Sequence, residues 1–328
     1  MAETTPAEAA PTDAAARTRE LRTPGAPALA VREYGRRRRP RPRAGGEAPP
    51  TPVVLLHGIG GTLEEWDPVA RLLAEHRPVH SVDLRGHGLS GDAPWSLDGF
   101  VDDLIRLIGH LDADRPLVAG YGLGGAAAAC AAARRSDLAG AVNVDGLAWP
   151  TAEHAAGALG LGPQEAGVQV DLARAYSAEQ AAAFRTPLGA EEFAAVLEGL
   201  RAMGTAGSAL AASAARSAVA ADGLRAPRPG PRAVRAALEA FAEFAPDRVY
   251  ARLLVPVLAL VSTGPVPRPP GAPARYPEVV RAAAAAELSR TAPLLRARPL
   301  ERAAHGPHVA RPEDVAGAIT SFLEEVGA

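Results

Sequence analysis

Apolar positions along the chain fall into two regimes. In the first, short uninterrupted apolar runs alternate with longer segments of helical period. The runs "PVVLLHG" (residues 52–58), "PVHSVDL" (78–84), "PLVAG" (116–120), "AGAVNVDG" (139–146) and "LLVPVLALVS" (253–262) have the continuous character of strands buried on both faces. "ALAVREYG" (28–35) alternates instead, as a half-buried strand does, and a short strand is predicted over 295–300. Helices are predicted near 66–75, over 97–111, after residue 122, near 278–290, and in the closing segment "PEDVAGAITSFLEEV". This alternation predicts an α/β protein with a mostly parallel central sheet and helices on both faces.

The second regime interrupts the first. From 149 to 248 the strand pattern stops, and segments such as "AEEFAAVLEGLRAM" and "AVRAALEAFAEFA" read as helices around the breaker cluster "APRPGP". A helical insertion between two sheet strands covers the carboxyl ends of the strands, where open α/β sheets bind ligands. The expected organisation is a disordered tail over 1–24, a core over 25–148 and 249–328, and a helical lid over 149–248 inserted after the sixth strand. Phe184, Phe193, Phe241 and Phe244 sit at helical positions and are expected to pack inside the lid.

Composition adds little and excludes much. The chain has 328 residues, long enough for a sizeable core, and its net charge of −2 offers no overall attraction to nucleic acid or membrane. All 35 basic residues are arginine, a usage that, with the abundant Ala, Gly and Pro, reflects a high-GC bacterial genome. The run between Arg36 and Arg43 lies in a predicted loop without interleaved aromatics, which favours a solvated loop over a nucleic-acid patch. A third functional reading, that this loop and the tail recruit a protein partner, stands well behind the readings below. The single cysteine, Cys130, excludes an internal disulfide and a cysteine-based zinc cluster, and its alanine-rich surroundings predict a buried apolar role. The first residues lack the apolar stretch of a secretory signal, and no window is long and apolar enough to span a bilayer, so a cytoplasmic protein is expected. Nothing in the pattern asks for a cofactor or a metal.

One stretch concentrates the candidate chemistry. "LVAGYGLGGAAAACAA" (117–132) reads as strand, tight turn and helix, the layout of the G-x-S-x-G nucleophile elbow. Its flanking glycines are Gly120 and Gly124, and the position between them is Gly122.

Together with "VVLLHGIGGT", "SVDLRGHGLSG" and "ERAAHGPHVARPEDVAGAITSFL", this stretch resembles the α/β-hydrolase superfamily from about residue 28 to the C-terminus. It looks most like the lidded bacterial esterase, epoxide-hydrolase and haloperoxidase-like branch. The resemblance implies an oxyanion hole made by the backbone N–H groups of Ile59 and Leu123. It implies that His305 occupies the catalytic histidine position, with His308 as a structural companion and His57 and His87 as packing and hydrogen-bonding residues of their turns.

The departures from the family pattern are equally informative. Gly122 has no nucleophilic atom, so no covalent intermediate can form there. The usual acid follows the strand at 253–262, yet residues 248–277 contain no Asp or Glu. Asp145, at the end of the preceding strand, is the alternative partner for His305, and a purely structural role for it is at least as well supported. Thr62 and Ser90 lie on nearby loops but not on the elbow, which makes a displaced nucleophile a poor reading. Two functions follow. The first is a pseudoenzyme-like, non-hydrolytic homologue that binds a small carbonyl- or carboxylate-containing molecule in a lidded pocket. The second is an enzyme without a covalent intermediate, of hydrolase, lyase or cyclase type, with His305 as general base. The sequence places the first ahead of the second.

Overall fold

The computed structural model describes residues 18–35, 49–111 and 114–328. The arginine-rich stretch from Arg36 to Arg43 lies outside them. Eight strands form one sheet: β1 (Thr18–Arg22), β2 (Ala30–Tyr34), β3 (Val53–Leu56), β4 (Val79–Val82), β5 (Leu117–Tyr121), β6 (Gly140–Val144), β9 (Val257–Ser262) and β10 (Leu295–Leu300). Their order is β1-β2-β4-β3-β5-β6-β9-β10. β2 is antiparallel to both β1 and β4, and the other pairings are parallel. The mostly parallel doubly wound sheet expected from the alternation is therefore present.

The apolar runs sit where both faces are covered. Every residue of β3, β4 and β6 is buried. One face packs on helices Leu97–His110 and Leu123–Ala132 through Phe100, Leu104 and Leu107, and the other on Asp67–Ala74 and Pro312–Glu325 through Trp66, Leu73 and Phe322. Helix Leu123–Ala132 is buried all round, which its run of small apolar residues permits. Cys130 lies in this helix, buried as expected, and burial pushes its thiol up to about 11.

β4 and β5 leave β3 in opposite directions, so the sheet order reverses there. The turns after β3 and β5 consequently face one crevice, the position at which such sheets bind ligands.

Strand β1 is a correction to the sequence reading, which placed residues 18–22 in a disordered tail. These residues pair with β2 in register from Thr18↔Tyr34 to Arg22↔Ala30. Local composition carries no sign of this, because the strand is held by distant partners. Glu20 bonds Arg32 on β2 at 2.6 Å and Arg216 of the insertion at 2.9 Å.

The insertion after β6 contains helices Ala152–Leu159, Pro163–Ala183, Ala190–Arg201, Gly204–Ser217, Pro231–Ala242 and Pro246–Tyr250. It also contains a hairpin that the helical reading missed, β7 (Ala218–Ala221) paired with β8 (Leu224–Pro227). Its tip is Asp222–Gly223, both with positive φ, the chemistry a two-residue hairpin turn requires. Phe244 is buried and Phe193 and Phe241 are half-buried, but Phe184 is 78% exposed, against the expectation that all four pack inside.

The insertion docks on the core through charge. Arg216 Nε donates to Asp83 Oδ2 at 2.8 Å, and the other oxygen of this fully buried carboxylate accepts the Leu63 N–H at 2.9 Å. The Leu89 N–H adds a further bond to Oδ2 at 2.9 Å. Removing the carboxylate strands two amides and a guanidinium. Asp83→Ala is therefore expected to lower unfolding free energy by about 3–5 kcal/mol, measured by urea denaturation. A loss under about 1 kcal/mol would mean that the contact behaves as a surface ion pair.

Candidate functional site

Residue 122 sits on a strained turn. Gly122 has φ 56° and ψ −118°, outside the regions open to side-chain-bearing residues, and directly begins helix Leu123–Ala132. Its N–H donates to the Val144 carbonyl at 2.9 Å, and its own carbonyl accepts the first helical bond from Ala126 at 3.0 Å. A β-carbon built there would find only Gly58 Cα, at 3.7 Å, an ordinary contact. The surroundings would thus admit a side chain, although the backbone strains any residue but glycine.

The turn opposite is organised by two buried histidines. His57 Nε2 accepts the Leu84 N–H at 3.0 Å while its Nδ1 donates to the Gly58 carbonyl at 2.7 Å. His87 Nε2 accepts the Gly60 N–H at 3.0 Å, and its Nδ1 donates to the Arg85 carbonyl at 3.0 Å. Each ring uses one nitrogen as donor and the other as acceptor, which requires the neutral form. Burial lowers the pKa of both, that of His87 strongly, and the charge of His57 lowers His87 further. Both do the structural work the resemblance implies. Among the described residues, the Ile59 and Leu123 N–H groups donate to no protein acceptor.

His305 and Asp145 meet. His305 Nδ1 lies 3.2 Å from Asp145 Oδ2. Asp145, itself at φ 49°, is buried, and its Oδ1 accepts the Ser262 N–H at 2.7 Å. The end of β9, which brings no acid of its own, therefore anchors the acid supplied by β6. The neighbouring turn is braced by Asn143, whose amide bonds both the N–H and the carbonyl of Gly146. The His305 side chain is 65% exposed, so it faces solvent and not a closed cavity.

Thr62 and Ser90 are committed elsewhere. The Thr62 hydroxyl donates to Ser213 at 3.1 Å and caps the one-turn helix Leu63–Trp66. The Ser90 hydroxyl donates to the Asp83 carbonyl and accepts the Ala30 N–H.

Three residues that the motifs did not single out complete the surroundings. Tyr121, immediately before Gly122, packs its ring at 5.0 Å from that of His305 and 4.3 Å from that of His308. Burial, reinforced by the negative charges of Asp145 and Glu65, pushes the Tyr121 hydroxyl well above its usual range, so it stays protonated. Glu65 accepts the Ser213 hydroxyl at 2.9 Å and lies 3.6 Å from His308 Nε2. Arg185, from the insertion, lies across Gly60. Position within the G-x-G-x-G turn flags Tyr121, whereas nothing in the insertion's sequence flags Arg185. A cleft of about 360 Å³ lies between the insertion and the loop after β6, lined by residues including Trp149, Val170 and Phe241, but it reaches neither Gly122 nor His305. Among the described residues no group of His, Cys, Asp and Glu is arranged to hold a metal ion, and no helix is long and apolar enough to cross a membrane.

Residues 53–318 match the model of the alpha/beta hydrolase family. The chain is 42% identical over 84 residues to the dihydrolipoyllysine-residue acetyltransferase component of the acetoin cleaving system of Pseudomonas putida, covering 25% of this chain and 22% of that protein. It is 35% identical over 91 residues to (E)-2-((N-methylformamido)methylene)succinate hydrolase of Acinetobacter baylyi, covering 26% and 34%. The aligned segments thus span only about a fifth to a third of these relatives' length. Among solved structures, E-2-(acetamidomethylene)succinate hydrolase superposes with a TM-score of 0.70 at 21% identity, over 94% of this chain and all of the other.

The neutral histidine pair sets a pH dependence. In the unfolded chain these rings protonate near 6.5, whereas in the folded chain they resist protonation. The stability they confer is complete above pH 6.5 and is lost as pH falls below it, by up to about 1.4 kcal/mol per pH unit for each ring. Denaturant midpoints are therefore expected to fall between pH 7.5 and pH 5.5, and less steeply in His87→Asn. A flat profile would show that the rings are charged in the fold.

Proposed function

The chain belongs to the alpha/beta hydrolase family, and from that premise we propose that it binds a small carbonyl compound beneath the insertion, which acts as a lid, and acts on it without forming a covalent intermediate. The observation that carries this reading is the Asp145–His305 hydrogen bond beside a nucleophile position that is glycine. The sequence alone favours a binding protein over an enzyme, because both the nucleophile and the usual acid position are empty. The pairing of His305 with an acid from β6 reverses that preference.

In this reading Asp145 holds the proton on His305 Nδ1, which leaves Nε2 free to accept one. A water molecule gives its proton to Nε2 as its oxygen adds to the substrate carbonyl. The resulting oxyanion is met by the N–H groups of Ile59 and Leu123, the second at a helix start where negative charge is favoured. Collapse expels the leaving group, which takes the proton back from the imidazolium. No bond to residue 122 forms at any stage. Two of the similar proteins are named as hydrolases of substituted methylenesuccinates, which supports a small acid carrying an amide or ester carbonyl as the substrate class. The exposure of His305 favours a second reading, in which the same site binds such a molecule and does not turn it over.

A panel of small carboxylate-bearing esters and amides separates the two. For any member hydrolysed by the native protein, His305→Ala is expected to lower kcat/KM by about 10²–10⁴-fold with ligand affinity retained. Equal rates in the two proteins would contradict a general-base role for His305. Binding with no turnover of any member would establish the second reading.

A further inference from the structure

The residues around Arg185 break the usual inside–outside order. Phe184 is 78% exposed, while its neighbour Arg185 turns inward from the end of helix Pro163–Ala183. Its guanidinium lies so close over the turn after β3 that a β-carbon built on Gly60, which has φ 79°, would come 2.3 Å from Nη2. Glycine, which the positive φ favours at position 60, leaves this place open to the cation.

The cation has no partner there. Among the described residues Arg185 makes no hydrogen bond and no ion pair within 4 Å, although arginines of comparable burial, such as Arg32, Arg85 and Arg216, each contact one or more carboxylates. Burial pulls its pKa below the usual arginine value, opposed only by the more distant charge of Glu65. Glu65 is already engaged by Ser213 and lies beside His308. A half-buried guanidinium costs free energy unless an anion compensates it. An apolar residue on the outside and an uncompensated charge on the inside is a local conflict of the kind found where function sets the sequence.

Gly60 directly follows Ile59, whose N–H is one of the two unclaimed donors. We infer that Arg185 is the receiving group for a carboxylate on the ligand, placed beside the amides that receive its carbonyl. The ligand then carries a carboxylate within a few bonds of the reacting carbonyl, with the guanidinium supplied by the lid and the amides by the core. Binding such an anion ties the lid to the turn it covers. This inference rests on the carbonyl-binding reading above and adds the residue that selects for charge.

Calorimetric titration of the full chain with monomethyl succinate and dimethyl succinate tests it, since the two probes share an ester carbonyl and differ by one negative charge. The native protein is expected to bind monomethyl succinate about ten- to a hundredfold more tightly than dimethyl succinate. Arg185→Ala is expected to bring monomethyl succinate down to the affinity of the diester, and Arg185→Lys to keep part of the preference. The unfolding midpoint of ligand-free Arg185→Ala is expected to be unchanged or raised, because an uncompensated charge has been removed. Equal affinity for the two probes, no detectable binding, or a preference that survives in Arg185→Ala would overturn the inference. Absence of hydrolysis in samples that bind monomethyl succinate would count against the general-base reading alone.

Discussion

The turn between β3 and the helix Leu63–Trp66 is the part on which the rest of the site depends. Three buried side chains hold it from behind: His57 through the Gly58 carbonyl, His87 through the Gly60 N–H, and Asp83 through the Leu63 N–H. With its backbone fixed in this way, the turn leaves the Ile59 amide without a protein acceptor among the described residues. The same framework anchors the insertion. Asp83 pairs with Arg216, Thr62 bonds Ser213, and Arg228 donates to the carbonyls of Gly88 and Ser90, each at 2.9 Å. One set of buried polar groups therefore shapes the turn that carries Ile59 and seats the insertion on the core. Each group is almost fully satisfied, which is the condition under which a buried polar network stabilises a fold.

Across the crevice, the turn at Gly122 passes directly from β5 into helix Leu123–Ala132. A residue with a side chain at φ 56°, ψ −118° carries strain of about 1–3 kcal/mol, which glycine avoids. Glycine at position 122 thus relieves the backbone, and the Leu123 amide stays at the helix start. Asp145 is buried, accepts the Ser262 N–H and lies within hydrogen-bond distance of His305, so the carboxylate ties the end of β9 to the His305 loop.

Much of this was legible in the chain itself. Uninterrupted apolar runs named β3, β4, β5, β6 and β9, because strands covered on both faces need no polar alternation. The glycines at 120, 122 and 124 marked the strand-to-helix turn, and residues 248–277 offered no Asp or Glu after β9. The features that escaped depend on distant partners. β1 is polar and looks like tail sequence until Arg32 and Arg216 converge on Glu20. The contact between Asp145 and His305 joins residues 160 apart in sequence, so spacing alone offered a candidate and no decision. Arg185 is one arginine among many, and its place over Gly60 without an ion-pair partner among the described residues emerges only in the fold. The β7–β8 hairpin hides in an alanine-rich stretch whose composition suits a helix equally well.

The central claim is that this site handles a carbonyl compound with no covalent bond to residue 122. Intact-mass spectrometry during incubation with an activated acyl ester tests it most directly, on the native chain and on Gly122→Ser side by side. The native chain is expected to keep its unmodified mass throughout, while Gly122→Ser, with Asp145 and His305 already paired beside it, is expected to accumulate the acyl adduct on Ser. An acyl adduct on the native chain that disappears as product forms would contradict the account.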